Sequence, residues 1–365
     1  MTADAQAGPE SVNAAMPKHV PSIDGLRAVA FVLVFLSHAG FRVAGTNAVA
    51  LFFFLSGFLI TTQLRLQYER TGTLKVRRFW IRRFFRIFPP MWAALILAIL
   101  ATWAGLMEGS IGFWPAAAQF LGLTNYWVTF ISDEGMPRGT SIYWYMSVSE
   151  QFYLVYPLLL LFLLRRVSRQ TCAAVFAALC AGALLWRYGL ALYGNMWDGR
   201  TYLCTDTRFD SILFGAILAL CCNPSLDPVC VHRFRSKAGL LLLSLALFIV
   251  SVAFRSTVFR ETLRYSVQGL SLYPVFYLAI IHPEWRIFRW LNHRWVMHLG
   301  AISYALYLVH FVILYIVYHF VDTGNPTVNL FLNPVIAAPL SLFVAVLFYH
   351  GVEQPVDRLR KRLGH

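Results

Sequence analysis

Ten apolar runs set the limits on what this chain can fold into. They lie at about 22–42, 46–64, 87–105, 144–164, 172–190, 208–222, 238–254, 265–283, 298–320 and 329–350. A helix needs about 20 apolar residues to cross a ~30 Å hydrocarbon core, and most of the runs reach or approach that length. The sixth is short and opens on charged residues. Within lipid every backbone N–H and C=O must be satisfied inside the segment, so the runs point to helices. Only 13% of the residues are charged, against about 25% in soluble domains, which excludes an ordinary soluble enzyme. The net charge of +14 would suggest nucleic acid in a soluble protein. Here the distribution of charge gives a better explanation, and no nucleic-acid partner is expected.

Of the 31 Lys and Arg residues, 22 fall on one set of alternate connections and seven on the other, with Arg27 and Arg208 inside spans. A cytoplasmic excess of basic residues sets the orientation of membrane helices. The expected fold is therefore an all-α integral membrane protein of about ten transmembrane helices with both termini cytoplasmic. Residues 1–20 read as a polar, disordered cytoplasmic tail, with no apolar core before a cleavage site. Residues 21–355 form the membrane domain and 356–365 a basic cytoplasmic tail. The Trp- and Tyr-containing stretch within 106–143 suits a re-entrant or interfacial element better than an eleventh span. The six cysteines lack metal-ligand spacing and read as packing residues, with a disulfide involving Cys204 as the alternative. No metal site is expected.

Charged groups inside spans are costly and usually face a protein interior or a polar pathway. In the first run, Arg27 and His38 stand eleven residues apart, about 16 Å along a helix. Threading the chain through the bilayer puts His38, Glu150, Arg208, Asp210 and His310 in a middle-to-outer layer. Arg27, Glu353 and the basic stretch from Arg77 to Arg86 share the inner one. Arg208 and Asp210 make a plausible local ion pair. The inner stretch KVRRFWIRRFFRIFPP reads as a loop carrying Arg82, Arg83 and Arg86 among aromatic residues. Such a segment fits either a headgroup anchor or a phosphate clamp, since Arg forks bind phosphate oxygens bidentately. No glycine-rich phosphate cradle is present.

These residues together resemble the membrane acyltransferase-3 family, over about 20–355. Arg27 and His38 match its first-span Arg–His pair, and Leu51 to Ile60 (LFFFLSGFLI) its second span. Arg82, Arg83, Arg86 and Pro89 match its basic motif. Trp144 to Tyr153 (WYMSVSEQFY) matches a further motif, retaining Glu150 but carrying Ser149 where an acidic residue is common. The pair Arg208 and Asp210, the set Gly300, Ser303, Tyr304 and His310, and Glu353 with Pro355 follow in order.

The resemblance implies an O-acyltransferase using an acyl-CoA donor, usually acetyl-CoA, from the cytoplasm. The acceptor would be a hydroxyl of a glycan or lipid-linked oligosaccharide, at the bacterial cytoplasmic (inner) membrane. On this reading Arg82, Arg83 and Arg86 hold donor phosphates, with Arg27 deeper on the same path. His38 acts as base, since His is tuned for proton transfer near neutral pH, and Glu150 orients it. Arg208, Asp210, Tyr304, His310 and Glu353 are assigned to the acceptor site, with helix pairing as the alternative for Arg208 and Asp210 and a catalytic or purely structural role open for His310. No GxSxG nucleophile elbow is present, which favours direct attack, or a transient acyl-His, over a stable acyl-Ser or acyl-Cys. No soluble domain follows the last run, which favours delivery straight to a glycan such as an exopolysaccharide repeat unit, O-antigen or signalling oligosaccharide. A transporter or flippase for a lipid-linked glycan, and tailoring of a small secreted metabolite, are the competing readings. Buried Arg, His and Glu also line transport pathways, but transport needs no CoA site.

Overall fold

A computed structural model of the chain describes residues 20–193, 199–227 and 236–363. The expected N-terminal tail before residue 20, Cys230 and the basic residues Arg233 and Arg235 lie outside the described residues. In chain order the helices are α1 (Pro21–His38), α2 (Gly45–Thr71), α3 (Val76–Trp103), α4 (Phe113–Phe120), α5 (Thr124–Phe130), α6 (Trp144–Leu164), α7 (Arg169–Leu192), α8 (Arg200–Leu203) and α9 (Thr205–Cys221). They continue with α10 (Lys237–Ala253), α11 (Thr257–Glu261), α12 (Leu263–Ile281), α13 (Arg286–Arg289), α14 (Arg294–Ala301), α15 (Ser303–Phe320), α16 (Pro326–Phe348) and α17 (Gln354–Arg362). No strand occurs among the described residues.

The protein is an all-α integral membrane protein. Among the described residues, seven helices are long and apolar enough to cross a bilayer: α1, α2, α3, α6, α7, α15 and α16. The other three expected spans form α9, α10 and α12, of 17, 17 and 19 residues. Helix α10 is about 25 Å long at 1.5 Å per residue, while α9 and α12 carry polar residues that turn into the bundle. Apolar side chains such as Leu97, Leu158, Leu185, Leu242 and Phe343 are exposed, as a lipid-facing surface requires. In the 106–143 segment, α4 and α5 have only eight and seven residues, too short to cross. Phe113, Trp114 and Phe130 project from them.

Helix α2 is the central post. Its Phe53, Phe54, Phe58, Ile60 and Leu64 are buried, and it packs along α9. Two glycines set that spacing. A Cβ on Gly57 would lie 1.8 Å from the Ile212 carbonyl oxygen, and one on Gly215 would lie 2.0 Å from that of Phe54. Small residues that let backbones approach are the usual means of joining helices in lipid, where the hydrophobic effect gives no preference for protein contact.

One segment differs from expectation. The basic stretch is no loop: it forms the first turns of α3, which runs unbroken through Pro89 and Pro90. At 28 residues, or about 42 Å, α3 is longer than the hydrocarbon core is thick, so its arginine turns extend past the bilayer. The C-terminal segment is likewise helical, as α17, packed on α3 with Asp357 bridging Arg360 and Lys361 at 2.5 and 2.7 Å. Cysteine behaviour also departs in part: Cys222 is disulfide-bonded, while Cys204 is buried with a free thiol.

Candidate active site

Five helices close around a cavity of about 150 Å³ near the arginine-rich end of the bundle. Helix α1 contributes Arg27, α3 contributes Arg83 and Arg86, α6 contributes Glu150, and α15 contributes Ser303 and Tyr304. Helix α2 supplies Ser56 and Gln63 along one wall. The local reason is periodicity: residues three or four apart on a helix share a face. Arg83 and Arg86 on α3, Tyr145, Ser149 and Tyr153 on α6, and Ser303 and Tyr307 on α15 each follow that spacing.

Several polar groups in this cavity are left unsatisfied. Glu150 Oε1 and Ser303 Oγ are buried without a hydrogen-bond partner. Among the described residues Arg83 and Arg86 make no hydrogen bond or ion pair; Arg83 instead lies over the rings of Tyr153 and Phe79 at 5.2 and 5.7 Å. Among the described residues the ion-pair contact of Arg27 is a loose one with Asp24, at 3.7 Å. Other hydroxyls of the lining are satisfied: Tyr304 donates to the Ile87 carbonyl at 2.8 Å, Tyr307 to that of Ile142 at 2.7 Å and Ser149 to that of Tyr145 at 3.0 Å. Buried polar groups normally find partners, and such a concentration of orphans marks a place made for a ligand or for water.

A wider cleft of about 620 Å³ joins this cavity, sharing Gln63, Arg83 and Arg86. It is lined by Arg70, Lys75, Arg78, Arg82 and Arg360 as well, with no carboxylate among its described lining residues. A cleft of one charge sign focuses the field and raises the local concentration of an oppositely charged ligand. On the other side of Arg86 a third space of about 520 Å³ holds Glu353, whose Oε1 is also buried without a partner. Arg27, Arg82, Arg83 and Arg86 thus converge, though Arg82 reaches only the cleft.

His38 lies apart from this cavity, at the opposite end of α1. Its Nδ1 is 2.9 Å from His310 Nε2, and its ring stacks on Phe311 at 4.4 Å. The expected contact with Glu150 is not made. The layer assignment fails for Glu150, which shares the cavity of Arg27, Arg83 and Arg86 and not the surroundings of His38. Lateral packing decides: α1 packs on α2, α14 and α15, whereas α6 packs on α2, α3, α5 and α9. Glu150 is therefore carried to the arginines of α3, and His310 of α15 takes the place beside His38.

The expected Arg208–Asp210 pair is also replaced. Asp210 accepts from Arg187 at 2.8 Å, both fully buried. Arg187 also donates to the carbonyls of Thr207 (2.6 Å) and Thr262 (3.0 Å) and to Ser266 Oγ (3.1 Å). Two residues apart on a helix, Arg208 and Asp210 point about 200° away from each other and cannot meet. Arg208 instead sits 4.0 Å over the ring of Tyr265, close to Tyr202 and Phe53, and none of its three nitrogens has a hydrogen-bond partner.

Sequence reasoning missed Arg187 and the cavity residues Ser56, Gln63, Tyr145, Tyr153 and Tyr307. The helical spacing of Tyr145 and Tyr153 about Ser149 was a usable signal for two of them.

At the far end, a polar pocket of about 420 Å³ is lined by Ser110, Asp133, Glu134, Arg138, Ser141 and Tyr315. Its floor presses on α15: Gly139, at φ +81°, has no room for a Cβ, which would lie 2.6 Å from Val312 N. Tyr315 packs on Phe311 at 4.9 Å, and Phe311 on His38.

Comparison with known proteins gives the family of the chain. The acyltransferase-3 family model, described as an acyltransferase domain, matches residues 20–350. The chain belongs to that family. It is 30% identical over 93% of its length to the peptidoglycan O-acetyltransferase OatA of Listeria monocytogenes, covering 56% of that protein. It is 27% identical over 93% of its length to Bacillus subtilis YrhL, provisionally described as a peptidoglycan O-acetyltransferase, covering 55% of it. A provisionally described O-acetyltransferase of Staphylococcus aureus is 27% identical, with 57% of it covered. The chain thus spans a little over half the length of these relatives. No solved structure matches it.

Proposed function

We propose that this chain is a membrane O-acetyltransferase of the bacterial cytoplasmic membrane, moving an acetyl group from acetyl-CoA to a hydroxyl of a glycan. The observation that carries this is the continuity of the basic cleft with a cavity of unsatisfied polar groups. A CoA ester carries several phosphate charges on a long, thin arm. The cleft would take the phosphates on Arg82, Arg83 and Arg86, with Arg70, Lys75, Arg78 and Arg360 around them. The narrower cavity past Arg83 suits the arm, and Arg27 and Glu150 would hold its polar groups.

Acyl-CoA supplies an activated thioester; the work left to the chain is to remove the hydroxyl proton and to bring the partners together. His38 is the base in this reading, because it lies on the same helix as Arg27 and faces the other end of the bundle. The polar far-end pocket supports acceptor entry from there, since carboxylates and an aromatic ring suit sugar hydroxyls and sugar faces. Two of the named relatives are described as peptidoglycan O-acetyltransferases, one of them provisionally, which makes a cell-surface glycan the acceptor class to test first.

The test is reconstitution in vesicles with radiolabelled acetyl-CoA and a panel of glycan acceptors. Transfer or slow hydrolysis of label is expected, together with an added acetyl mass on surface glycan from cells that carry the gene. A protein that transports a lipid-linked glycan while leaving acetyl-CoA untouched would overturn the proposal.

A further inference from the structure

We propose that His310 is a positioning residue that holds His38 in one tautomer, with the proton on Nδ1 and a bare Nε2 facing the acceptor hydroxyl. The inference rests on the acetyl-transfer reading for its consequence but on hydrogen-bond geometry for its substance. His310 Nδ1 lies 3.0 Å from both the Leu306 and Tyr307 carbonyl oxygens, one turn back on its own helix. A carbonyl oxygen only accepts, so Nδ1 carries the proton. A neutral imidazole has one N–H, which makes His310 Nε2 an acceptor. The atom 2.9 Å away, His38 Nδ1, must then be the donor. The neutral His38 ring has its single proton there, and its Nε2 is left as the base.

The alternative, a protonated His310 donating from both nitrogens, would force the opposite tautomer on His38 and leave Nε2 unable to accept. The surroundings oppose it. His310 is fully buried, with Phe31 edge-on at 5.4 Å and Phe35, Tyr307 and Phe311 around it. Among the described residues neither ring has a carboxylate in hydrogen-bond or ion-pair contact. An unpaired charge in such a place is costly.

The chemistry follows. The hydroxyl proton passes to His38 Nε2 as the oxygen forms its bond to the acyl carbon. The C–S bond of the thioester breaks with its electron pair on sulfur, and the proton on His38 is returned to that thiolate. The imidazolium that exists in between has its Nδ1–H directed at His310, and His310 in turn directs its own N–H at two helix carbonyls. This chain of dipoles takes the part a buried carboxylate has in a Ser–His–Asp triad, orienting the base and stabilising its cation.

Nitrogen-15 NMR of histidine-labelled protein in nanodiscs reads the tautomer without any turnover. His38 is assigned by the signals lost in His38→Gln. Wild type should show a protonated Nδ1 and an unprotonated Nε2 on His38. In His310→Ala the signal should move to a tautomer mixture or to the Nε2–H form. His310→Gln keeps a carbonyl acceptor near the old Nε2 position and should restore the wild-type pattern. In the acetyl-CoA assay, His310→Ala should lower kcat by about 10²–10⁴-fold with the donor KM within roughly threefold, and His310→Gln should recover to within about tenfold of wild type. A wild-type His38 protonated at Nε2, an unchanged tautomer in His310→Ala, or a folded His310→Gln as inactive as His310→Ala would each overturn the proposal. If no donor supports turnover, the acetyl-transfer reading fails while the NMR result still decides the tautomer.

Discussion

Arg187 and Arg86 are both arginines of a membrane bundle, yet their surroundings are opposite. Arg187 is fully buried at the junction of α7, α9 and α12, and its donors reach Asp210, two carbonyls and a serine hydroxyl. Arg65 is similar, forking onto Asp227 and donating to the Ala219 carbonyl at 2.8 Å. Arg83 and Arg86 line open space beside an orphaned Glu150 and find no such partners. The difference teaches how to sort buried cations that composition alone treats alike. A guanidinium whose donors are all met within the bundle holds helices together. One whose donors are unmet and face a cavity is available to a ligand. Arg208 stands between them, boxed by rings but without a hydrogen bond.

The sharpest way to break this division is through its structural half. Asp210→Ala should destabilise the protein by about 3–5 kcal/mol by stranding the Arg187 charge, seen as loss of monodisperse protein and a fall in melting temperature. Replacing both partners, Arg187→Met with Asp210→Leu, should recover most of that loss; failure to do so would mean the pair has a role beyond bridging helices. Next come Arg83→Ala and Arg86→Ala. Stability should stay within about 0.5 kcal/mol, as for a group without partners, while the acetyl-CoA KM rises roughly 10–100-fold, the equivalent of one or two charge-assisted contacts. If either variant unfolds instead, the satisfied/unsatisfied distinction fails.

Arg208→Met tests the intermediate case. Loss of about tenfold in kcat/KM for the glycan, with unchanged or higher melting temperature, would put Arg208 with the ligand-binding set. A fall in stability would put it with Arg187. The smallest effect is expected at the cleft mouth. Arg82→Ala should weaken donor binding only a few-fold, since exposed charge pairs contribute about 0.2–1 kcal/mol, and the deficit should shrink as salt is added.

Much of the site was legible because membranes make polar residues conspicuous. Against runs such as LILAIL, residues like Arg27, His38, Glu150 and His310 stand out, and each is costly enough in lipid to imply a purpose. The helical period then told which of them share a face, and it placed Arg83 and Arg86 together. It failed where a partner on another helix was needed. Glu150 was assigned to His38 from depth, and Arg208 to Asp210 from adjacency in sequence; in the structure Glu150 meets α3 and Asp210 meets Arg187.

The sequence by itself determined that the chain is a helical membrane bundle, which residues pay the desolvation cost, and how far apart Arg27 and His38 stand on one straight helix. Those follow from local rules: hydropathy, the 1.5 Å rise and the 3.6-residue turn. Only the tertiary structure decided the company each polar group keeps. That depends on which helix lies beside which, and here it is fixed by close contacts such as Gly57 on Ile212 and Gly215 on Phe54 between segments more than 150 residues apart. Such contacts leave no periodic mark in the chain, so the pairing of His38 with His310 could be seen only once α1 and α15 were brought together.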